Sequence, residues 1–268
     1  MKIFVDTAKL EEIEKAHSYG ILDGVTTNPS LIKKAVSGKN LNMSDYIKKI
    51  LRAAEDVPVS LEVIGNTYEE MVAEAKMLYR KFNPVSGNVY VKIPVNPSFG
   101  KTMAPFDGIK AIRSLSKVRI PVNCTLIFTP EQALLAARAG AKFVSPFAGR
   151  VDDYIRKKNG IPFKKEDYFP ACGMEYKRRL LEDRGIVSGI DLVRECVEIL
   201  EVHNLKTEVL AASMRNTQQV REAALAGAHI ATLPLRVLGE LLAHPKTEEG
   251  MKNFTRDVVP EYAELLKK

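Results

Sequence analysis

Short apolar runs alternate with longer amphipathic stretches from one end of the chain to the other. The runs are rich in β-branched residues and mostly continuous, which is typical of strands buried on both faces of a parallel sheet. The predicted strands span residues 3–7, 24–27, 59–64, 88–94, 120–128, 143–147, 207–213 and 230–233. Because a helical pattern follows each run, the sequence predicts an α/β fold, a closed parallel (β/α)₈ TIM barrel, in a single domain over residues 1–268.

An internal similarity supports this repeating unit. Residues 136–144 (AARAGAKFV) resemble residues 223–231 (AALAGAHIA), and in both an alanine-rich helical stretch ends at a glycine before a strand begins. Gly140 and Gly227 suit the left-handed conformation that closes many helices. Two stretches exceed normal loop lengths, residues 96–106 and an enlarged loop at about 151–186, and a helical segment is predicted at about 246–268.

Composition excludes several classes of protein. The chain has no apolar run of the length that spans a bilayer and no recognisable signal peptide, so no membrane association is expected. Its three cysteines are widely spaced, which favours a reducing, cytoplasmic setting, and its four histidines show no ligand spacing, so no metal site is expected.

The formal charge of +7 is concentrated in one region. Residues 154–184 contain nine basic and five acidic residues. They lack a recognisable nucleic-acid-binding motif, so no nucleic-acid partner is expected. A solvated basic face and a rim that attracts phosphorylated small molecules both remain open interpretations.

Lys92 interrupts the fourth predicted strand, which otherwise has the composition of a buried strand. Burial disfavours an ammonium ion, and a lysine that becomes a neutral amine is a nucleophile that forms a Schiff base with a carbonyl group. The alternative is an edge strand whose lysine extends to solvent.

Polar residues cluster at the carboxyl ends of the predicted strands, where barrel active sites lie. Residues i and i+2 of a strand share a face, which pairs Thr26 with Asn28, Asn123 with Thr125, Ser145 with Phe147, and Ser213 with Arg215. Asp6 and Glu62 lie late in their strands. If these faces point inward, acids, amides and hydroxyls surround Lys92.

Individual residues also have simpler interpretations. Asp6 could cap the first helix, and Asn28 could stabilise a turn before Pro29. Arg150 could be an ordinary surface arginine. Cys124 is predicted to be an outward-facing packing residue.

At these positions the chain resembles the transaldolase family, which includes the fructose-6-phosphate aldolases. The matching segments are FVDT (4–7), DGVTTNPS (23–30), LEV (61–63), VKIP (91–94), NCTL (123–126), SPFAGR (145–150) and AASMRN (211–216), with His244, Pro245 and Gly250 near the end. The resemblance covers nearly the whole chain apart from the two long loops. Each segment is modestly specific, but their joint order is very specific.

This resemblance implies a cofactor-free class I aldolase mechanism acting on sugar phosphates. It assigns the Schiff base to Lys92, acid/base catalysis to Asp6, and a proton-shuttling water to Glu62 and Thr125. It also implies a set of substrate-binding residues. The dihydroxyacetone portion would be held by Asn28, Asn123 and Ser145. The phosphate would be held by Arg150, Ser213 and Arg215. Thr26 and Phe147 complete this set.

Two positions distinguish the branches of the resembled family. The transaldolase branch carries Glu and Phe at these positions, and the aldolase branch carries Gln and Tyr. Glu62 and Phe147 therefore match the transaldolase branch. The resemblance therefore implies transfer of a dihydroxyacetone unit between a ketose phosphate and an aldose phosphate in the pentose phosphate pathway.

Two other functions remain as alternatives. One is a fructose-6-phosphate aldolase that releases free dihydroxyacetone, and the other is a non-catalytic barrel used as a binding module. Departures from the family pattern at residues 95–98 and after Arg150 affect the expected substrate range more than the reaction type. A homo-oligomer is expected, because small members of the resembled family form multi-subunit rings and the C-terminal segment has an apolar stripe: Met251, Phe254, Val258, Tyr262 and Leu265.

Overall fold

A computed structural model describes residues 1–38, 40–96 and 105–267. Its strands are β1 (Lys2–Asp6), β2 (Gly24–Thr26), β3 (Val59–Glu62), β4 (Val89–Pro94), β5 (Val122–Ile127), β6 (Phe143–Pro146), β7 (Glu175–Tyr176), β8 (Arg179–Leu180), β9 (Glu208–Ala211) and β10 (Ile230–Leu233). Its helices are α1 (Leu10–Ser18), α2 (Pro29–Val36), α3 (Met43–Ala53), α4 (Tyr68–Ser86), α5 (Asp107–Lys117), α6 (Pro130–Ala139), α7 (Ala148–Lys158), α8 (Gly189–Val202), α9 (Thr217–Leu225), α10 (Leu235–Glu240), α11 (Pro245–Arg256) and α12 (Pro260–Leu265).

Eight parallel strands close into a barrel in the order β1, β2, β3, β4, β5, β6, β9 and β10, with β10 returning to β1. The predicted (β/α)₈ barrel is therefore confirmed, and its eight strands correspond to the eight apolar runs of the sequence. The short antiparallel pair β7–β8 lies outside the barrel and was not predicted.

The barrel interior has an apolar layer at one end and a polar layer above it. Phe4, Phe143, Leu210, Ala212 and Ile230 form an apolar cluster separate from the main core. Gly24 makes this layer possible, because a Cβ at that position would lie 2.4 Å from the Phe4 ring. Two residues further along three of these strands, the same face carries polar groups: Asp6, Ser145 and Thr232.

The outward faces of the strands pack against the helices and form the main core. Cys124 is fully buried in this layer, and its burial raises the pKa of the thiol. The prediction that Cys124 is a packing residue is confirmed.

Local chemistry sets the ends of the helices around the barrel. Thr129 Oγ1 caps α6 by accepting the backbone N–H of Gln132, and Gln132 Oε1 in turn accepts the backbone N–H of Thr129. Gly140 ends the same helix with φ of 102°, and Gly227 has φ of 79° after α9. Both glycines have the predicted left-handed conformation.

The predicted enlarged loop at 151–186 is wrong at its start, because α7 continues to Lys158. Residues 151–158 contain no glycine or proline, and four of them form a buried face at helical spacing: Val151, Asp152, Ile155 and Arg156. The irregular part is residues 159–188, called the rim segment below, and it contains β7 and β8. The other predicted long loop, 96–106, falls largely on residues 97–104, which lie outside the described residues.

Two helices, α11 and α12, follow α10 in place of one continuous C-terminal helix, since Pro260 begins a new helix after Arg256. The described residues of both helices include none that is buried. Among the residues that the structure describes, no helix is both long and apolar enough to cross a membrane.

Candidate active site

Lys92 lies at the centre of the polar layer, on β4. Its side chain is almost fully buried, at 6% exposure, so the edge-strand alternative is not realised. The Nζ atom lies 3.1 Å from Glu62 Oε2 on β3 and donates to the Thr27 carbonyl oxygen at 3.1 Å. The β3–β4 register pairs Glu62 directly with Lys92, which places a proton acceptor beside the amine.

Asp6 stands on β1, close enough to Lys92 for the two charges to interact. Burial raises the pKa of Asp6, and a hydrogen bond from Thr26 and the charge of Lys92 oppose that rise. Thr26 Oγ1 donates to Asp6 Oδ1 at 2.7 Å and also contacts the Thr232 hydroxyl. Asp6 therefore belongs to the site, and the alternative that it caps α1 is not realised, because the residue before that helix is Lys9.

A second hydrogen-bonded group joins side chains of β3, β5 and β6 near Lys92, whose own strand β4 lies between β3 and β5. Asn123 Nδ2 donates to Ser60 Oγ at 3.1 Å, and Ser145 Oγ donates to Asn123 Oδ1 at 2.6 Å. All three side chains are buried. These mutual bonds fix the amide orientation and keep the polar layer satisfied before any substrate is present.

Thr125 lies beyond Asn123 on β5. Its hydroxyl is buried and has no hydrogen-bond partner among the described protein atoms. The pairing between β5 and β6 shifts register between Cys124 and Ile127, and Leu126 has φ of 60°. An irregularity of this kind re-aims side chains at the end of a strand.

Asn28 caps a helix and also lines the central cavity. Its Oδ1 accepts the Leu31 N–H at 3.0 Å at the start of α2.

The other end of the cavity is basic. Arg215 is buried, and both of its terminal nitrogens donate to Asp153 at 2.6 Å. Arg215 Nη1 also donates to the Lys165 carbonyl oxygen at 3.0 Å. The arginine is therefore held in one orientation by α7 and by the rim segment.

Glycine and a left-handed residue shape this basic end. A Cβ at Gly149 would lie 2.6 Å from Arg215 Nε and 2.3 Å from the Ser213 carbonyl oxygen, so only glycine fits there. Ser213 has φ of 62°, which turns the chain directly after β9. Arg150, one helical residue later, is exposed and stacks on the Phe147 ring at 4.9 Å.

Most of the sequence-predicted site residues share one cavity of about 400 Å³ at the carboxyl ends of the strands. They are Asp6, Thr26, Asn28, Lys92, Asn123, Ser145, Phe147, Arg150, Ser213 and Arg215. Glu62 and Thr125 do not line this cavity, although Glu62 contacts Lys92 directly.

Sequence reasoning missed several residues of this site. Thr232 and Ser60 had a detectable signal, since each lies on a strand at the parity that faces the barrel axis. Asp153 lies one helical turn after Arg150 on α7, which is a weaker signal. Lys165 also lines the cavity, and it lies in the basic stretch 154–184 for which a rim that attracts phosphorylated molecules was one interpretation. Lys34, Glu166 and Arg236 line the cavity too, and nothing local in the sequence marks them.

The chemistry of the donor set does not suit a bound metal. Across residues 1–38, 40–96 and 105–267, no group of three or more His, Cys, Asp and Glu side chains is arranged to hold an ion. The acidic groups near Lys92 are already bonded to a lysine or a threonine.

Comparison with known proteins agrees with this geometry. The family model described as transaldolase/fructose-6-phosphate aldolase matches residues 3–267. This chain belongs to that family. It is 43% identical over 258 residues to a protein of Thermoplasma acidophilum named probable transaldolase, with 96% of this chain and 95% of the relative covered.

Two bacterial relatives carry the same name. The probable transaldolase of Alkaliphilus metalliredigens is 40% identical over 257 residues, covering 96% of this chain and 97% of the relative. The probable transaldolase of Geobacillus kaustophilus is 39% identical over 257 residues, covering 96% and 98%. Membership of the family makes this chain an enzyme of the transaldolase and aldolase type.

Proposed function

We propose that this enzyme is a transaldolase that transfers a dihydroxyacetone unit from a ketose phosphate to an aldose phosphate through a Schiff base on Lys92. The observation that carries the proposal is the ion pair between the buried Lys92 and Glu62, with Lys92 and Asp6 lining a cavity whose other end is cationic. The pentose phosphate pathway is the proposed setting, and the cytoplasm the proposed location.

The first step is attack of the Lys92 amine on the C2 carbonyl of the donor. Glu62 is 3.1 Å from Nζ and can take the ammonium proton that must leave before attack. Loss of water from the carbinolamine then gives the iminium ion. The unpartnered Thr125 hydroxyl supports a role in holding the water that carries protons in this step.

The second step is cleavage of the bond between C3 and C4. Asp6 accepts the proton of the C4 hydroxyl, the C3–C4 electron pair moves to the iminium ion, and an aldose phosphate departs from an enamine on Lys92. Its raised pKa suits a carboxyl group that accepts this proton and later returns it to the acceptor adduct. Asn123 and Ser145, already oriented by their mutual bond, hydrogen-bond the dihydroxyacetone hydroxyls.

Phe147 supports transfer over simple cleavage. It lines the cavity and packs against Phe128 at a ring-centroid distance of 5.8 Å, and it offers no hydroxyl to orient a water toward the enamine. The enamine is therefore expected to persist until an acceptor aldehyde arrives. A fructose-6-phosphate aldolase remains the alternative.

The test combines trapping with an acceptor requirement. Sodium borohydride with fructose 6-phosphate should inactivate the enzyme by reducing an iminium on Lys92, which peptide mass mapping will locate. Lys34 also lines the cavity and serves as the internal comparison that must stay unmodified. An adduct on another lysine, or none, would refute the proposed mechanism.

The acceptor requirement tests the branch. Sedoheptulose 7-phosphate should be consumed rapidly with glyceraldehyde 3-phosphate and slowly without it. Equal release of dihydroxyacetone in both reactions would support the aldolase alternative and contradict the transaldolase assignment.

A homo-oligomer is also proposed, with α11 and α12 in a subunit contact. The apolar stripe along this segment is exposed on the single chain and does not pack on its own barrel: Met251, Phe254, Val258, Tyr262 and Leu265. Light scattering at micromolar concentration should give a mass above one subunit, and a monomeric mass would exclude this assembly.

A further inference from the structure

The basic end of the catalytic cavity adjoins a second cavity of about 640 Å³. Arg150, Lys165 and Arg215 line both cavities, and among the described residues they alone do so. All three are cationic. The boundary between the two cavities is therefore the most positive part of the site.

The rim segment brings Lys165 to this boundary through several fixed contacts. Arg156 is buried and donates to the Tyr168 carbonyl oxygen at 2.6 Å, while Asn216 Nδ2 donates to the Glu166 carbonyl oxygen at 3.3 Å. Together with the bond from Arg215 to the Lys165 carbonyl oxygen, these contacts hold the Lys165 backbone against the residues that follow β9.

The two arginines at the boundary do not by themselves supply enough positive charge to neutralise a phosphate group. A phosphate monoester carries a charge of about −1.5 to −2 at neutral pH. Asp153 offsets Arg215 through two short hydrogen bonds, which leaves Arg150 as the net cation of that pair. Lys165 makes no ion pair within the part of the chain that the structure describes, so its charge is available to a ligand.

We propose that Lys165 is a specificity-determining residue that binds the phosphate group of the substrate together with Arg150 and Arg215. This inference rests on the proposed function and adds to it a phosphate-binding residue from the rim segment. The Lys165 charge also lowers the pKa of Asp6, which indicates that it lies within electrostatic reach of the catalytic end.

Neighbouring residues define the direction of this site. Glu166 lines the catalytic cavity, whereas Asp153 and Asp183 line the second cavity, so carboxylates disfavour an anion away from the boundary on both sides. The phosphate is therefore placed toward the boundary, beside Lys165. Lys164 precedes Lys165 and lines neither cavity, which makes it a matched control of the same charge.

The experiment measures kcat/KM for fructose 6-phosphate and for unphosphorylated fructose, with D-glyceraldehyde as acceptor, at an ionic strength of about 0.3 M. At this salt concentration the Debye length is below about 8 Å, so long-range attraction is suppressed and direct contact persists. Lys165→Gln should lower kcat/KM for fructose 6-phosphate by roughly 10- to 100-fold, mainly through KM, as loss of a charge-assisted hydrogen bond predicts. The value for fructose should fall far less, because only the smaller effect of the Lys165 charge on Asp6 is then lost.

Three further variants sharpen the result. Lys164→Gln should match the wild type, Lys165→Arg should retain most of the selectivity for phosphate, and Glu166→Gln should lower KM for fructose 6-phosphate. Equal values for Lys165→Gln and Lys164→Gln would overturn the proposal, as would an equal loss with both donors.

Calorimetric titration with inorganic phosphate separates this proposal from the proposed function. Lys165→Gln should bind phosphate more weakly than the wild type and Lys164→Gln, whether or not the protein turns over sugar phosphates. Absence of turnover in the wild type would refute the proposed function alone, whereas unchanged phosphate affinity in Lys165→Gln would refute the role of Lys165 alone.

Discussion

At the Lys92 end of the cavity, side chains on adjacent barrel strands bond to one another, whereas at the Arg215 end the partners come from α7 and the rim segment. Lys92 meets Glu62 through direct strand pairing, and Asn123 on β5 bonds to Ser145, two residues beyond its register partner Phe143 on β6. Arg215 instead meets Asp153, which is 62 residues away in sequence and lies on a helix.

This difference implies a division of labour. Barrel strands are rigid and buried, which suits groups that must be positioned closely for proton transfer. Helix ends and long connections vary more readily, which suits the groups that select the substrate. Changes at the Lys92 end should therefore affect chemistry, and changes at the Arg215 end should affect binding of phosphorylated substrates.

The largest effect is expected from Lys92→Arg. Arginine stays protonated and cannot attack a carbonyl group, so kcat should fall by roughly 10³-fold or more, as for loss of other catalytic nucleophiles. Calorimetry should show phosphate binding at the wild-type level, because the basic end is untouched. Substantial residual turnover, or lost phosphate binding, would contradict the division between the two ends.

A smaller effect is expected from Arg215→Lys. Lysine cannot reproduce the two parallel bonds to Asp153, so the phosphate loses an oriented donor and KM for fructose 6-phosphate should rise roughly 10- to 100-fold. Borohydride trapping with dihydroxyacetone should still label Lys92. Arg221→Lys, on the exposed face of α9, is the control and should resemble the wild type.

Phe147→Tyr tests whether the absence of a hydroxyl at this position protects the enamine from protonation. A hydroxyl at this position would orient a water that protonates the enamine, so release of free dihydroxyacetone without acceptor should rise on the order of tenfold. Phe128→Tyr changes the neighbouring ring and is the matched control. If Phe147→Tyr leaves acceptor-free release unchanged, the explanation for the branch is wrong.

The smallest effect concerns Asp152, which supports the Arg215 end from beneath. Its carboxylate accepts hydrogen bonds from the Gly189 backbone N–H and from Gln219 Nε2. Gln219 Oε1 in turn accepts the backbone N–H of Arg215. Burial raises the pKa of Asp152 to about 7. The folded protein then holds a proton that the unfolded chain releases near its ordinary pKa of about 4, so this group should lower stability as pH rises from about 4 to about 7.

Thermal unfolding of the wild type and Asp152→Asn at pH 4.5 and pH 8 will measure this effect. The Tm advantage of the wild type over Asp152→Asn should shrink by several °C as pH rises, because each unit between the folded and unfolded pKa contributes about 1.4 kcal/mol. Asp257→Asn, at an exposed position, should show no such trend. An advantage that stays constant or grows with pH would show that Asp152 does not titrate in this window.

The two ends of the cavity also differ in how far the sequence alone predicts them. The alternation of side chains along a strand fixes which face each residue occupies, so Lys92, Asp6 and Asn123 could be placed in one ring before any coordinates. Glycine marked the ends of α6 and α9 for an equally local reason, the left-handed backbone. The boundary between α7 and the rim segment could not be predicted. Residues 151–158 include few strong helix formers, and their buried face is defined only by tertiary packing.

The sequence by itself determined the order of strands and helices, the buried lysine and the polar face around it, since these depend on periodicities of a few residues. Only the tertiary structure decided that Glu62 contacts Lys92, that Asp153 holds Arg215, and that Lys165 lies at the basic end of the cavity. These contacts join segments whose separation along the chain carries no local signal, and they exist because barrel closure and the packing of the rim segment bring those segments together.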